Sequence, residues 1–84
     1  MPDVEQNLVD LVQTIVEPLV EVPDELEITS SADEASILIE IRVNADDAGK
    51  VIGRQGRIIK AIRTLARAAA SRSDCMVDVE LIDE

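Results

Sequence analysis

Eighty-four residues carry eight Lys and Arg against eighteen Asp and Glu, a formal net charge of −10, with no histidine and no Phe, Trp or Tyr. A chain this short supports one small core; without histidine it lacks the commonest general base and metal ligand, no nucleophile with an activating partner stands out, and catalysis is not expected. Without aromatic rings it cannot hold bases by stacking, as an RRM sheet or an OB-fold groove does, and with neither a basic start before an apolar run nor a stretch near the ~20 apolar residues of a membrane span it is expected to be soluble and cytoplasmic.

In chain order, Asp3 can cap a first helix over residues 4–18, where Val4, Leu8, Leu11, Val12, Ile15 and Leu19 recur at the helical period. Pro18 and Pro23 mark its end. Short alternation predicts a strand over 25–30, and a clearer one predicts a second over 36–43, with Ile37, Ile39, Ile41 and Val43 on one face and a polar loop over 31–35 before it. Asn44 or Asp46 can cap a short helix over 45–52, which stops where Gly53 can take a left-handed conformation. After a loop over 53–56, a last helix is expected over 57–72 with Ile58, Ile59, Ile62, Leu65, Ala66 and Ala69 as its packing stripe; the Ala68–Ala70 run allows close packing on a sheet. A third strand, 75–82, alternates Cys75, Val77, Val79 and Leu81 with Met76, Asp78, Glu80 and Ile82. Cys75 is the only cysteine, which rules out an intrachain disulfide or a cysteine-based zinc cluster and suggests a small buried side chain. The expected class is α+β in the order α-β-β-α-α-β, one three-stranded sheet covered on one face by three helices.

The charge is not evenly spread. Seven of the eight basic residues lie between Lys50 and Arg72, an interval without a single acid, whereas thirteen acids precede it and five follow. Inside that strip Gly53 and Gly56 flank the polar pair Arg54 and Gln55 between two helices. Glycines let a backbone come close to phosphate, and the start of the second helix offers N–H groups and the positive end of its dipole to an anion. A nucleotide phosphate would lie over Gly53, Arg54, Gln55 and Gly56, with charge from Arg54 and Arg57 and with Lys50, Lys60 and Arg63 along the path. Bases, lacking rings to stack on, would rest on an aliphatic floor of Val51, Ile52 and Ile59, with the strand around Ile39 to Ile41 as its far wall. No metal or cofactor is called for, and no small-molecule substrate.

The run from Ala45 to Leu65, centred on Val51-Ile52-Gly53-Arg54-Gln55-Gly56, resembles the GxxG region of a KH domain, and the element order around it resembles the type II arrangement. The short length is similar to that of small single-KH bacterial proteins regarded as RNA chaperones. That resemblance implies a cytoplasmic protein binding single-stranded RNA, as a homodimer or with a larger KH-containing partner, with effects on cell elongation and cell-wall homeostasis. Members often carry His-Pro before the paired acids, where this chain has Asn44-Ala45.

KH clamps hold about four nucleotides, so a second domain nearby would raise affinity. Val9, Val16, Val20, Met76 and Ile82 lie off the main stripes and are available for a dimer surface. Two other readings remain open at this point: a protein-interaction module that docks a basic partner on its acidic exterior, and a helix-turn-helix DNA binder using residues 57–72, which the strands on both sides disfavour.

Overall fold

The computed structural model describes residues 4–82, so the cap expected from Asp3 lies outside the described residues. Helix α1, Val4–Val16, buries Leu8, Val12 and Val16 along one stripe. It ends two residues before Pro18, whose ring and missing N–H do not fit a helix interior, and the chain continues as a 3-10 turn, Glu17–Leu19. Val16, set aside above for a dimer surface, is therefore spent on the core. A second 3-10 turn, Pro23–Glu25, takes up the start of the expected first strand.

Strand β1, Glu27–Ala32, runs antiparallel to β2, Ser36–Arg42, with Glu27 opposite Arg42 and Ala32 opposite Ile37. The connection is tighter than the polar loop expected, because Asp33 builds it. Its Oδ1 accepts from the N–H groups of Ala35 and Ser36, both at 2.9 Å, and from the Ser36 hydroxyl at 3.0 Å. These three bonds, led by that of Ala35, hold the Asp33 carboxyl below the usual carboxylate range.

From β2 the chain passes through a 3-10 turn, Ala45–Asp47, capped by the Asn44 side chain on the N–H of Asp46 at 2.9 Å. Helix α2, Ala48–Ile52, and helix α3, Arg57–Ala69, then form the crossover that a parallel return requires. Strand β3, Met76–Ile82, lies parallel to β2 with Ile39 beside Val79. The sheet order is β1-β2-β3, which leaves β3 at an edge.

Residues opposite one another share a face. Ile37, Ile39, Ile41, Val77 and Val79 all turn toward the helices, where they meet Leu8, Val12 and Val16 of α1, Val51 of α2 and Ile59, Ile62 and Ala66 of α3. The other face carries the half-buried Leu38 and Glu40 and the exposed Asp78 and Glu80. Element order and one-sided cover match the fold that the resemblance implies.

The stripe on α3 differs from the expected one. Ile59, Ile62, Ala66 and Ala70 are buried, whereas Leu65 is half exposed and Ala68 and Ala69 face solvent. The helix also stops at Ala69, ahead of residue 72, because Ser71, Ser73 and Asp74 favour turns. The N–H of Ser73 bonds Ala70 O at 2.9 Å, and Asp74 takes φ +52°. Cys75 is half-buried against the core.

Candidate nucleic-acid interface

The α2–α3 junction is built from three residues with positive φ. Gly53 has φ 75° and ψ 175°, a mirror-extended conformation and not the left-handed helical one expected, and Gly56 has φ 74° and ψ 17°. Between them Gln55 is itself left-handed, at φ 56°. The chain curls through a 3-10 turn, Arg54–Gly56, in which the N–H of Gly56 bonds Gly53 O at 3.2 Å. The two glycines are needed for different reasons. A Cβ on Gly53 would lie 2.6 Å from Cγ1 of Ile58, whereas one on Gly56 would meet nothing closer than the Lys60 stem at 3.8 Å.

Helix α3 starts at this curl with no side-chain cap and no acid in its first turn, so the positive end of its dipole is not offset locally. Arg54, Arg57 and Lys60 are exposed around it, and among the described residues none has a carboxylate partner; Arg57 reaches only the Gln55 amide oxygen, at 3.4 Å. Three other cations of the strip, Lys50, Arg63 and Arg67, are engaged. Lys50, expected beside the phosphate path, is held by Glu21 at 2.9 Å and Asp47 at 3.2 Å, and these contacts, chiefly that with Glu21, raise its pKa. These two contacts tie it to the fold.

The aliphatic floor is also corrected. Val51 is fully buried and Ile59 nearly so, because both face the sheet, and only Ile52, one helical step away, is open, at 40% exposure. Ile39 and Ile41 cannot form a wall, since they lie under the helices on the central strand. The edge strand of the sheet on that side is β3. Gly56, Lys60, Arg63, Thr64 and Arg67 recur at helical spacing along one side of α3. The last four, with Asp78 of β3, line a cleft of about 530 Å³.

Arg63 and Arg67 cross that cleft. Nε of Arg63 donates to Val79 O at 2.9 Å, and Nε of Arg67 donates to Val77 O at 3.2 Å. Asp78 lies between them, its Oδ1 3.5 Å from Arg63 Nε and 3.8 Å from Arg67 Nη2, while accepting from the N–H of Val79 at 2.9 Å. Arg63 thus lies in the cleft but paired. The sequence alone does not single out Thr64, Arg67 and Asp78, which the fold adds to the cleft. The spacing of 60, 63, 64 and 67 could have signalled two of them, but Asp78 could not be placed without the pairing of β3.

Among the described residues no helix is long and apolar enough to cross a membrane, and no group of His, Cys, Asp and Glu is arranged to hold a metal ion.

A family model described as KhpA/KhpB, KH domain, matches residues 9–81. RNA-binding protein KhpA of Clostridium acetobutylicum is 49% identical over 72 residues, covering 86% of this chain and 96% of that protein. The proteins of the same name from Borreliella burgdorferi and Bacillus subtilis are each 42% identical, over 92% and 94% of this chain and 94% and 98% of their own lengths. Among solved structures, Aquifex aeolicus Era superposes on all of this chain and 33% of its own, with a TM-score of 0.69 at 17% identity, a likeness of fold alone.

Proposed function

This chain belongs to the KhpA/KhpB family of KH domains, and from that premise we propose that it binds single-stranded RNA through the Gly53–Gly56 turn and the cleft beside α3. The observation that carries the reading is the set of unpaired cations, Arg54, Arg57 and Lys60, around an uncapped helix start on a protein otherwise dominated by acids. A phosphate set against the turn meets backbone N–H groups, the helix dipole and three charges at once. Ile52 supplies open apolar surface beside it, while Val51 and Ile59 shape that surface from beneath.

Replacing Arg54 and Gln55 together by Asp tests this directly. Both side chains are exposed, and Asp tolerates the left-handed conformation at position 55, so the fold should persist. Affinity for an unstructured oligoribonucleotide, read by anisotropy of a labelled strand, is expected to fall about tenfold or more, and with three phosphate contacts the wild-type slope of log K against log salt should be near about −2. Equal affinity for the two proteins would overturn the reading and favour a docking module.

The same reading places the protein in the cytoplasm as an RNA chaperone or post-transcriptional regulator, connected with cell elongation and cell-wall homeostasis, acting as a homodimer or with a larger KH-containing partner. A grip confined to one turn and three cations gains from a second copy on the same strand. Sedimentation at high micromolar concentration should show a dimer; a monomer there would remove the homodimer from the proposal.

A further inference from the structure

The cleft beside α3 contains a carboxylate where phosphate binding alone would call for none. Asp78 is half exposed, and its Oδ1 accepts from the N–H of Val79 and lies within ion-pair distance of the two arginines. Oδ2 has no partner among the described residues. The arginines are fixed as well. Each spends its Nε–H on a β3 carbonyl, which leaves the N–H groups of its Nη atoms as donors at set positions.

We propose that Asp78 is a base-selecting residue of this cleft, one that favours a base carrying an exocyclic amino group, cytosine, adenine or guanine, over uracil. The inference rests on the reading that RNA is anchored at Gly53–Gly56. From that anchor the stripe Gly56, Lys60, Arg63, Thr64 and Arg67 leads the strand to Asp78. A phosphate arriving there would face a carboxylate and is disfavoured, whereas a base edge is neutral and can pair with it. The carboxylate only accepts hydrogen bonds, so it needs a donor opposite. The amino groups of cytosine, adenine and guanine supply one. Uracil presents two carbonyl oxygens on either side of its single N–H, and these are repelled by Oδ2. The neighbouring guanidiniums complement the ring nitrogen and carbonyl acceptors of cytosine. Asp78 also restrains both arginines, so that they act on the cleft as oriented donors and not as mobile counterions to the backbone.

Oligo(C) and oligo(U) of equal length separate these effects, since the two differ at the base edge while sharing backbone and ring size. Wild-type protein is expected to bind oligo(C) about tenfold more tightly than oligo(U), the lower end of the worth of one added hydrogen bond to a charged acceptor after exchange with water. Asp78→Asn keeps a side-chain oxygen for the N–H of Val79 and removes only the charge, so the fold is retained. It should bring the ratio close to one by raising oligo(U) affinity, and by freeing the arginines it should steepen the salt slope by about 0.7 for each phosphate they then reach. A wild-type ratio of one, or a ratio that Asp78→Asn leaves unchanged, overturns the assignment of Asp78 while leaving the anchor at Gly53–Gly56 intact. Loss of all binding by both proteins would overturn the anchor and this inference together. Far-UV circular dichroism of the variant supplies the folding control.

Discussion

Gly53→Ala is expected to remove about 3 kcal/mol of stability, from a backbone conformation that only glycine reaches easily and from overpacking against Ile58. The two costs have separate origins. With φ 75° and ψ 175° the residue lies outside the regions open to alanine, and the added Cβ falls within 2.6 Å of the Ile58 side chain, whose position is fixed by packing at the start of α3. Gly56→Ala meets neither a clash nor so rare a conformation, since φ 74° and ψ 17° is left-handed helical and the nearest atom is 3.8 Å away. It should cost about 1 kcal/mol. Because the chain has no aromatic residue, urea unfolding is best followed by far-UV circular dichroism. Equal losses for the two variants would show that the Ile58 contact does not set the difference. The pattern also bears on RNA binding, since a variant at Gly56 tests the site in a folded protein, while one at Gly53 tests mainly the fold.

A comparable loss is expected at a residue with no place in the RNA reading. Asp47 is 1% exposed, the one buried charged side chain among the described residues. Its two oxygens accept from the N–H of Glu21 at 3.1 Å and of Val22 at 3.0 Å, and Oδ1 also meets Lys50 at 3.2 Å. The carboxylate thereby pins the segment between α1 and β1 to the start of α2. Asp47→Ala strands both N–H groups and leaves Lys50 with Glu21 alone, and should lower Tm on the order of 10 °C.

The pH profile gives a second readout. The hydrogen bond from Glu21 leads in holding the Asp47 carboxyl below its ordinary value, against the opposing effect of burial. A depressed folded pKa stabilises the protein above the unfolded value, about 4, and that contribution is lost as pH falls through the folded value. Asp33 adds to the same acid limb. Lys50 has the opposite sign: its raised pKa stabilises below about 10.4 and is lost as pH rises through the folded value. Removing Asp47 should flatten the acid limb of Tm against pH; an unchanged limb would place the acid sensitivity elsewhere.

Strand alternation made β2 legible in the sequence, since Ile37, Ile39 and Ile41 all face the core, and the polar pair between two glycines located the α2–α3 turn. Helix ends were less legible. Proline stopped α1 at Val16, two residues before the position where it was expected to act, and the serines after Ala70 ended α3 early. The groove was misread because local periodicity cannot say which strand takes the edge. Once β3 pairs in parallel with β2, Ile39 and Ile41 are enclosed on the central strand and β3 takes the edge. Val51 and Ile52 illustrate the same limit: adjacent, equally apolar, and separated only by which one the short α2 turns inward. Asp47 gave no signal at all, being one of eighteen acids until the chain brings Glu21 and Val22 to it.

The side chains spanning the cleft also affect how copies of this protein meet one another. An edge strand with open backbone groups invites a further strand, from a neighbour or an unfolding chain, and can seed stacked assemblies. Along β3 the outward groups Val77 O, Val79 N–H and Val79 O are already taken, by Arg67, Asp78 and Arg63 in turn. Those three residues close that stretch of the sheet to sideways growth, much as a terminal strand would, and they do so without adding to the chain.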